Sequence, residues 1–187
     1  IAMRVIRSIR KLGLVAVAIY AENDSRAAHV READQAWSLG DGPLSDTYLN
    51  INKIIRIARE AGCEAIHPGY GFLSERAAFA MACKEAGIRF IGPESDAINL
   101  MGNKVEARLF AQAQGIPVIE GRTGGPEELM AAASELSFPL LIKAAAGGGG
   151  KGMRIVREPS DLRDALEATS REAQTYFGDG TVYAERY

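Results

Sequence analysis

Residues 140–153 read Leu140-Leu141-Ile142-Lys143-Ala144-Ala145-Ala146-Gly147-Gly148-Gly149-Gly150-Lys151-Gly152-Met153. An apolar strand runs into a loop with no bulky side chain, and a second apolar stretch follows at residues 153–156. Glycines let several backbone N–H groups approach one anion, because no Cβ stands in the way. Lys143 at the strand end and Lys151 in the loop add positive charge. The pattern predicts a flexible strand-loop-strand flap over a polyphosphate. It is not a Walker loop, which needs Gly, four residues, then Gly-Lys-Ser/Thr at the start of a helix. Here Gly152 follows Lys151, Ala145 stands where the first glycine belongs, and a β-like run comes next.

Outward from this flap the chain changes character. Downstream, residues 160–176 read as a helix and Thr181 opens a last strand. Upstream, residues 127–136 read as a helix after a turn cluster at 121–126. An aromatic residue before Pro139 favours a cis peptide at Phe138-Pro139. Residues 95–101 and 104–114 read as two further helices, the second capped by Asn103 and ended by Gly115 with Pro117.

Before Gly92-Pro93 the chain alternates β and α. Residues 1–12 form a helix with apolar residues at Ile1, Val5, Ile9 and Leu12, closed by Gly13. Residues 14–20 are nearly all apolar and read as a strand buried on both faces. Short strands are expected at 36–39, 64–67 and 88–91, with helices at 47–62, capped by Thr47, and 75–86. This order predicts an α/β fold: a Rossmann-like, largely parallel sheet domain at 1–92, a helical linker at 93–118, and a small α+β lid at 119–187. Both ends read as cut, so the chain is expected to be part of a longer protein.

Composition narrows the function classes. The 187 residues are 47% hydrophobic and 25% charged, ordinary for a globular chain with a core. A net charge of −2 gives no electrostatic footprint for nucleic acid or an acidic membrane. No apolar run approaches the ~20 residues of a membrane span. Cys63 and Cys83 form no CxxC pair and read as two buried, reduced thiols of a cytosolic protein. His29 and His67 are too few and too far apart for a zinc set.

Two further stretches each admit two readings. His67-Pro68-Gly69-Tyr70-Gly71-Phe72-Leu73-Ser74-Glu75 follows a short strand, where open α/β sheets place ligands. It is also readable as a tight turn with Ser74 as helix cap, and His67 alone reads as a packed histidine. Met101-Gly102-Asn103-Lys104 puts a lysine at a helix N-terminus, the wrong end for a cation. It is either a solvated lysine or part of an anion site shared with free N–H groups.

Taken in order, residues 45–51 (SDTYLNI), 65–75 (AIHPGYGFLSE), 90–93 (FIGP), 101–104 (MGNK) and 138–156 (FPLLIKAAAGGGGKGMRIV) resemble the biotin carboxylase component of biotin-dependent carboxylases. That family belongs to the ATP-grasp superfamily. The resemblance implies that ATP and bicarbonate form carboxyphosphate, whose carbon dioxide is passed to biotin on a carrier protein. By resemblance, Lys104 and Lys143 hold ATP phosphates and Gly147, Gly148, Gly149 and Gly150 close over them. Glu185 and the Arg186 backbone read the adenine edge, with Leu141 and Met153 as its apolar neighbours. Tyr70 faces biotin, and Glu75 orients the anion shell. The opening strand would lie upstream of Ile1. The magnesium carboxylates, the bicarbonate-binding residues and the catalytic base would lie downstream of Tyr187.

The implied partners are a biotin carboxyl carrier and a carboxyltransferase, which chooses the acceptor. The implied parent is an oligomeric ligase of the cytoplasm or mitochondrial matrix, without nucleic-acid or membrane partners, and the isolated chain is expected to be inactive. Rival readings are a carbamoyl-phosphate type ATP-grasp ligase, from which residues 65–75 separate it, and a non-catalytic nucleotide-binding regulatory module.

Overall fold

Helix α1 (Ala2–Lys11) opens the chain and lies near strand β1 (Val17–Tyr20) through Ile6, which is buried with Ala16 and Ala18. The computed structural model describes residues 1–187 except 133, 134, 136 and 146–151, and it describes Phe177 without its side chain. Two compact units divide the described chain, Ile1–Asn99 and Leu100–Tyr187.

In the first unit, β1 pairs in parallel with β2 (Gln35–Ser38) across the short helix α2 (Ala28–Glu32). Strands β3 (Ala65–Ile66) and β4 (Arg89–Phe90) form a second parallel pair across α4 (Ala77–Glu85). Helix α3 (Ile51–Glu60) precedes β3. One core serves both pairs: Ile54, Ile55, Ile57 and Ala58 of α3 meet Phe79 and Cys83 of α4 and Leu39, Leu73 and Ile88 between elements. Ile19, Trp37, Ile66 and Phe90 pack against it from the four strands. The unit is therefore mixed α/β with parallel strands, in two separate two-stranded ladders.

Several local expectations need correction. Leu14 and Val15 are exposed, and the ladder begins only at Val17. Ile1 and Leu12 are exposed as well, and Ile6 is the buried residue of α1. Thr47 does not cap α3. Its hydroxyl donates to the Pro43 carbonyl at 3.1 Å, and Asn50 caps instead, accepting from the Lys53 N–H at 2.9 Å. Ser74 does not cap α4 either, because residues 72–75 form a 3-10 turn and Arg76 precedes the helix. Cys83 is buried, Cys63 only half-buried, and both are free thiols.

Helix α5 (Ser95–Gly102) runs into the second unit, where α6 (Lys104–Ala113) is capped by Asn103, whose Oδ1 accepts from the Val105 and Glu106 N–H groups. A four-stranded antiparallel sheet follows in the order β5-β8-β6-β7. Its strands are β5 (Gly121–Gly124), β6 (Leu140–Ala144), β7 (Met153–Val156) and β8 (Val182–Arg186). Helices α7 (Pro126–Ala131) and α8 (Leu162–Phe177) cover one face. Alternation assigns the faces: Leu140, Ile142, Val156, Val182 and Ala184 are buried with Leu129, Leu162 and Leu166.

The turn cluster expected at 121–126 is in fact β5. Glycine-rich sequence hides a strand, and only pairing with β8 reveals it. The Phe138-Pro139 peptide is cis, as expected from its sequence. Helix α7 ends at Ala131, and residues 133, 134 and 136 of the helix expected at 127–136 lie outside the described residues.

Candidate functional site

The face of the four-stranded sheet opposite the helices carries the charged groups. On β6, burial alternates, so Leu141 and Lys143 point away from the core that holds Leu140, Ile142 and Ala144. Across the ladder Lys143 is paired with Tyr183 and Met153, and Leu141 with Glu185 and Ile155. Leu141, Lys143, Met153 and Glu185, read separately from the sequence, therefore share one face. Lys143 Nζ and Glu185 Oε1 form an ion pair, with side chains 23% and 12% exposed. Met153 and Ile155 are exposed, leaving an apolar strip beside the pair.

Arg186 falls on the other side by alternation. Its backbone N–H donates to the Glu120 carbonyl at 3.2 Å, and the Tyr187 N–H donates to the Pro139 carbonyl at 2.9 Å. Gly147, Gly148, Gly149, Gly150 and Lys151 lie outside the described residues.

Helix α6 brings a second cation to this face. The Arg108 guanidinium stands 5.5 Å from the centroid of the Tyr183 ring, a cation–π distance, and donates to the Ile119 carbonyl from Nε at 3.0 Å. Lys104 lies one turn earlier on the same side of α6. Tyr183 is buried, and its hydroxyl has no hydrogen-bond partner among the described residues. Burial pushes its pKa up to about 12, Arg108 opposes that rise, and Glu185 adds to it. The hydroxyl therefore stays protonated at neutral pH. Sequence reading passed over Tyr183, Arg108 and Gly121. The alternation Val182-Tyr183-Ala184-Glu185 was the available signal, since a strand puts Tyr183 beside Glu185.

Behind α8 a second polar group fastens β7. Arg154 donates to Glu172 at 2.5 and 3.1 Å and to the Thr169 hydroxyl at 3.1 Å. Hydrogen bonding to Arg154 holds the Glu172 carboxyl below its ordinary range. This group holds helix to sheet and does not reach the open face.

In the first unit, Tyr70 and Glu75 sit in the loop after β3. Tyr70 is 80% exposed between Gly69 and Gly71, whose φ values are +78° and +71°. Glycine is needed there because other residues rarely adopt this region. His67 is exposed rather than packed, and its Nδ1 accepts the Gly69 N–H at 3.0 Å. Phe72 takes φ +49°, uncommon for a bulky residue, and its ring stacks on Tyr48 with centroids 5.8 Å apart.

Tyr48 is itself fixed: its hydroxyl donates to Asp24 Oδ2 at 2.6 Å and accepts the Ala21 N–H at 2.9 Å. Burial, and then the bond to Asp24, pushes its pKa up. Tyr48 thus ties the segment after β1 to the loop after β3, both at carboxyl ends of parallel strands. Sequence reading missed this, because residues 24, 48 and 72 meet only in the fold. Among the described residues no group of three His, Cys, Asp or Glu could hold a metal ion. None of their helices is long and apolar enough to cross a membrane.

Comparison with known proteins follows the same division. A family model described as biotin carboxylase, N-terminal domain, matches residues 1–98. One described as carbamoyl-phosphate synthase L chain, ATP binding domain, matches residues 103–187. A biotin carboxylase of Halalkalibacterium halodurans is 45% identical over 189 residues, covering 100% of this chain and 42% of that protein. The chain thus spans less than half the length of that relative.

Among solved structures, the biotin carboxylase of Campylobacter jejuni in its β-γ-ATP complex is 43% identical with a TM-score of 0.94. The biotin carboxylase domain dimer of the Hydrogenobacter thermophilus 2-oxoglutarate carboxylase, with MgADP, ADP and bicarbonate, is 46% identical, also at 0.94. Each is covered to 42% of its chain, and each covers 100% of this one.

Proposed function

The chain belongs to the biotin carboxylase family, and from that premise we propose that it is the first domain and lid of an enzyme that uses ATP and bicarbonate to carboxylate carrier-bound biotin. The observation that carries this reading is the open face of the second unit. Four residues expected to meet a nucleotide, Leu141, Lys143, Met153 and Glu185, are neighbours there on three adjacent strands. Leu141 and Met153 offer apolar surface to a base. Glu185 offers an acceptor to an exocyclic amino group. Lys143 offers a strand-anchored ammonium to phosphate oxygens, and Lys104 adds charge from the start of α6.

The remaining assignments extend this reading. The two parallel ladders of the first unit are the described part of a Rossmann-like layer over residues 1–92, 93–118 is the connection, and 119–187 is the ATP-grasp lid. Gly147, Gly148, Gly149 and Gly150 close over the phosphates. Tyr70 meets biotin, and Glu75 orients the anion shell. The Arg186 backbone reads the adenine edge through its carbonyl, since its N–H is engaged by Glu120. A carrier, a carboxyltransferase and an oligomeric parent complete the system.

Phosphoryl transfer depends mostly on positioning and charge neutralisation. This chain contributes two lysines and a cover that excludes water. The resemblance assigns the magnesium ligands to the part of the parent that this chain does not span, and no step is derived through the ion. The first unit argues against the carbamoyl-phosphate type, because residues 65–75 and the family match over 1–98 are of the biotin carboxylase kind.

The test is Lys143→Ala in the parent enzyme, assayed by bicarbonate-dependent ATP cleavage, with folding checked by thermal melting. Loss of a preorganised charge contact should slow turnover about 30- to 1000-fold, from roughly 2–4 kcal/mol of lost transition-state stabilisation. Near wild-type turnover and ATP affinity would remove the open face from the nucleotide site.

A further inference from the structure

Tyr70 is 80% exposed, so packing against the rest of its unit does not set where the ring points. The backbone on either side has to set it. Gly69 and Gly71 both have positive φ, and a Cβ at either would meet nothing within 4 Å. They are glycines for conformation rather than for space. Two glycines beside one residue leave its backbone loose unless the chain is fastened nearby, and here it is fastened on both sides.

The first fastening lies ahead of Tyr70. His67 follows the carboxyl end of β3, and its Nδ1 accepts the Gly69 N–H at 3.0 Å. A backbone N–H can only donate, so in this arrangement Nδ1 carries no proton and the ring proton sits on Nε2. The bond runs from a side chain to the backbone two residues on, as asparagine and aspartate do when they fix a turn. The second fastening lies behind. Phe72 has φ +49°, a conformation that a bulky residue keeps only where its surroundings hold it. Its ring stacks on Tyr48 with an interplanar angle of 2°, and the next residue, Leu73, is buried in the core. The Tyr48 hydroxyl is held from two sides, donating to Asp24 at 2.6 Å and accepting the Ala21 N–H at 2.9 Å.

We propose that His67 and Tyr48 are positioning residues for Tyr70: His67 latches the backbone ahead of it, and Tyr48, through Phe72, the backbone behind it. This rests on the reading that Tyr70 meets biotin. The pair supplies preorganisation. An exposed ring on an unfastened loop would lose conformational freedom on binding, and that loss would weaken the complex.

The experiment uses the parent enzyme with free biotin as acceptor. It measures the KM for biotin, kcat, ATP affinity by titration calorimetry and the melting temperature. The variants are Tyr70→Ala, His67→Ala, His67→Asn and Tyr48→Phe, with His67→Ala and Tyr48→Phe each also combined with Tyr70→Ala. His67→Ala removes one neutral hydrogen bond and should raise the KM for biotin about 2- to 10-fold, with ATP affinity unchanged. His67→Asn should bring the KM back close to that of the unsubstituted enzyme, because its Oδ1 can accept the same N–H. Tyr48→Phe keeps the stacked ring but drops both hydroxyl bonds, and it should raise the KM at least as far as His67→Ala. In the Tyr70→Ala background neither substitution should raise the KM further, since the ring that they aim is gone.

A further rise in that background, or a defect in His67→Asn as large as in His67→Ala, would overturn positioning through Tyr70. If Tyr70→Ala raises the KM while His67→Ala and Tyr48→Phe do not, the biotin reading stands and the positioning falls. If Tyr70→Ala leaves the KM unchanged, the biotin reading falls and the positioning with it.

Discussion

Replacing Gly121 by alanine tests how closely β5 and β8 must approach. The Gly121 backbone is not in the left-handed region, so alanine's conformation is permitted and only space is at issue. The new Cβ would stand 2.4 Å from the Tyr183 hydroxyl oxygen, 2.7 Å from its Cζ and 2.6 Å from the Ala184 carbonyl oxygen. Comfortable contacts begin nearly 1 Å further out, at roughly 3.3–3.6 Å between carbon and oxygen. The tyrosine ring could swing aside only by leaving Arg108. The Ala184 carbonyl belongs to a central strand paired on both sides.

Overpacking of this kind costs typically about 1–3 kcal/mol, and the cation–π contact of the half-buried Arg108 adds at least about 0.5–1 kcal/mol. The total is about 1.5–4 kcal/mol, which lowers the melting temperature by roughly 6 °C or more for a domain of this size. Thermal unfolding followed by circular dichroism measures it. Gly102→Ala is the control, because a Cβ there meets nothing within 4 Å. Gly124→Ala should fall between them, since its obstacle is the movable end of Glu128 at 2.5 Å. Adding Tyr183→Phe to Gly121→Ala should not restore stability, because the carbonyl contact remains. A Gly121→Ala melting temperature within about 2 °C of the unsubstituted chain would refute the close approach and the placement of the Tyr183 hydroxyl.

Other outcomes are equally open to measurement. Asn103→Ala removes the acceptor for the Val105 and Glu106 N–H groups and should destabilise the second unit by about 1 kcal/mol, read from denaturant melts. Leu140→Ala, in a fully buried position of the sheet core, should cost about 2–5 kcal/mol in the same melts. The Asp34 carboxyl is held low first by the Ala16 N–H at 2.8 Å and then by Arg10. A depressed carboxylate stabilises the fold above its unfolded value, near about 3.9, and that stability is lost as pH falls through the folded value. Melting temperatures taken down to about pH 3 should therefore drop on the acid side, with a shallower drop in Asp34→Asn. The 187-residue chain alone should not release phosphate from ATP with bicarbonate and biotin. Sustained, biotin-dependent release would overturn the assignment of the metal-holding half to the parent.

Local chemistry carried much of this protein in its sequence. Asn103, Gly115 and the alternation of residues 140–144 act within a few positions of themselves, so the second helix pair and strand β6 could be read directly. Residues 65–75 and 138–156 carried the family, because their glycines and charges stand in the order and spacing the resemblance rests on. What could not be read depends on neighbours distant in the chain.

Strand β5 is half glycine and has little strand propensity of its own, and it forms because β8 supplies its hydrogen bonds. Thr47 and Ser74 look like helix caps, yet the chain turns before each helix starts: Asn50 caps α3, and α4 begins after Arg76 with no side-chain cap. The loop of Tyr70 is tied down by Tyr48 and Asp24, 22 and 46 residues earlier than Tyr70 by their numbers. Sequence alone therefore singled out the residues that we propose for a phosphate and an adenine edge. Only the tertiary structure decided that Lys143 and Glu185 hold each other and that Tyr183 lies buried beside them. Strand register is a long-range property: it sets which side chains share a face, and no single segment encodes it.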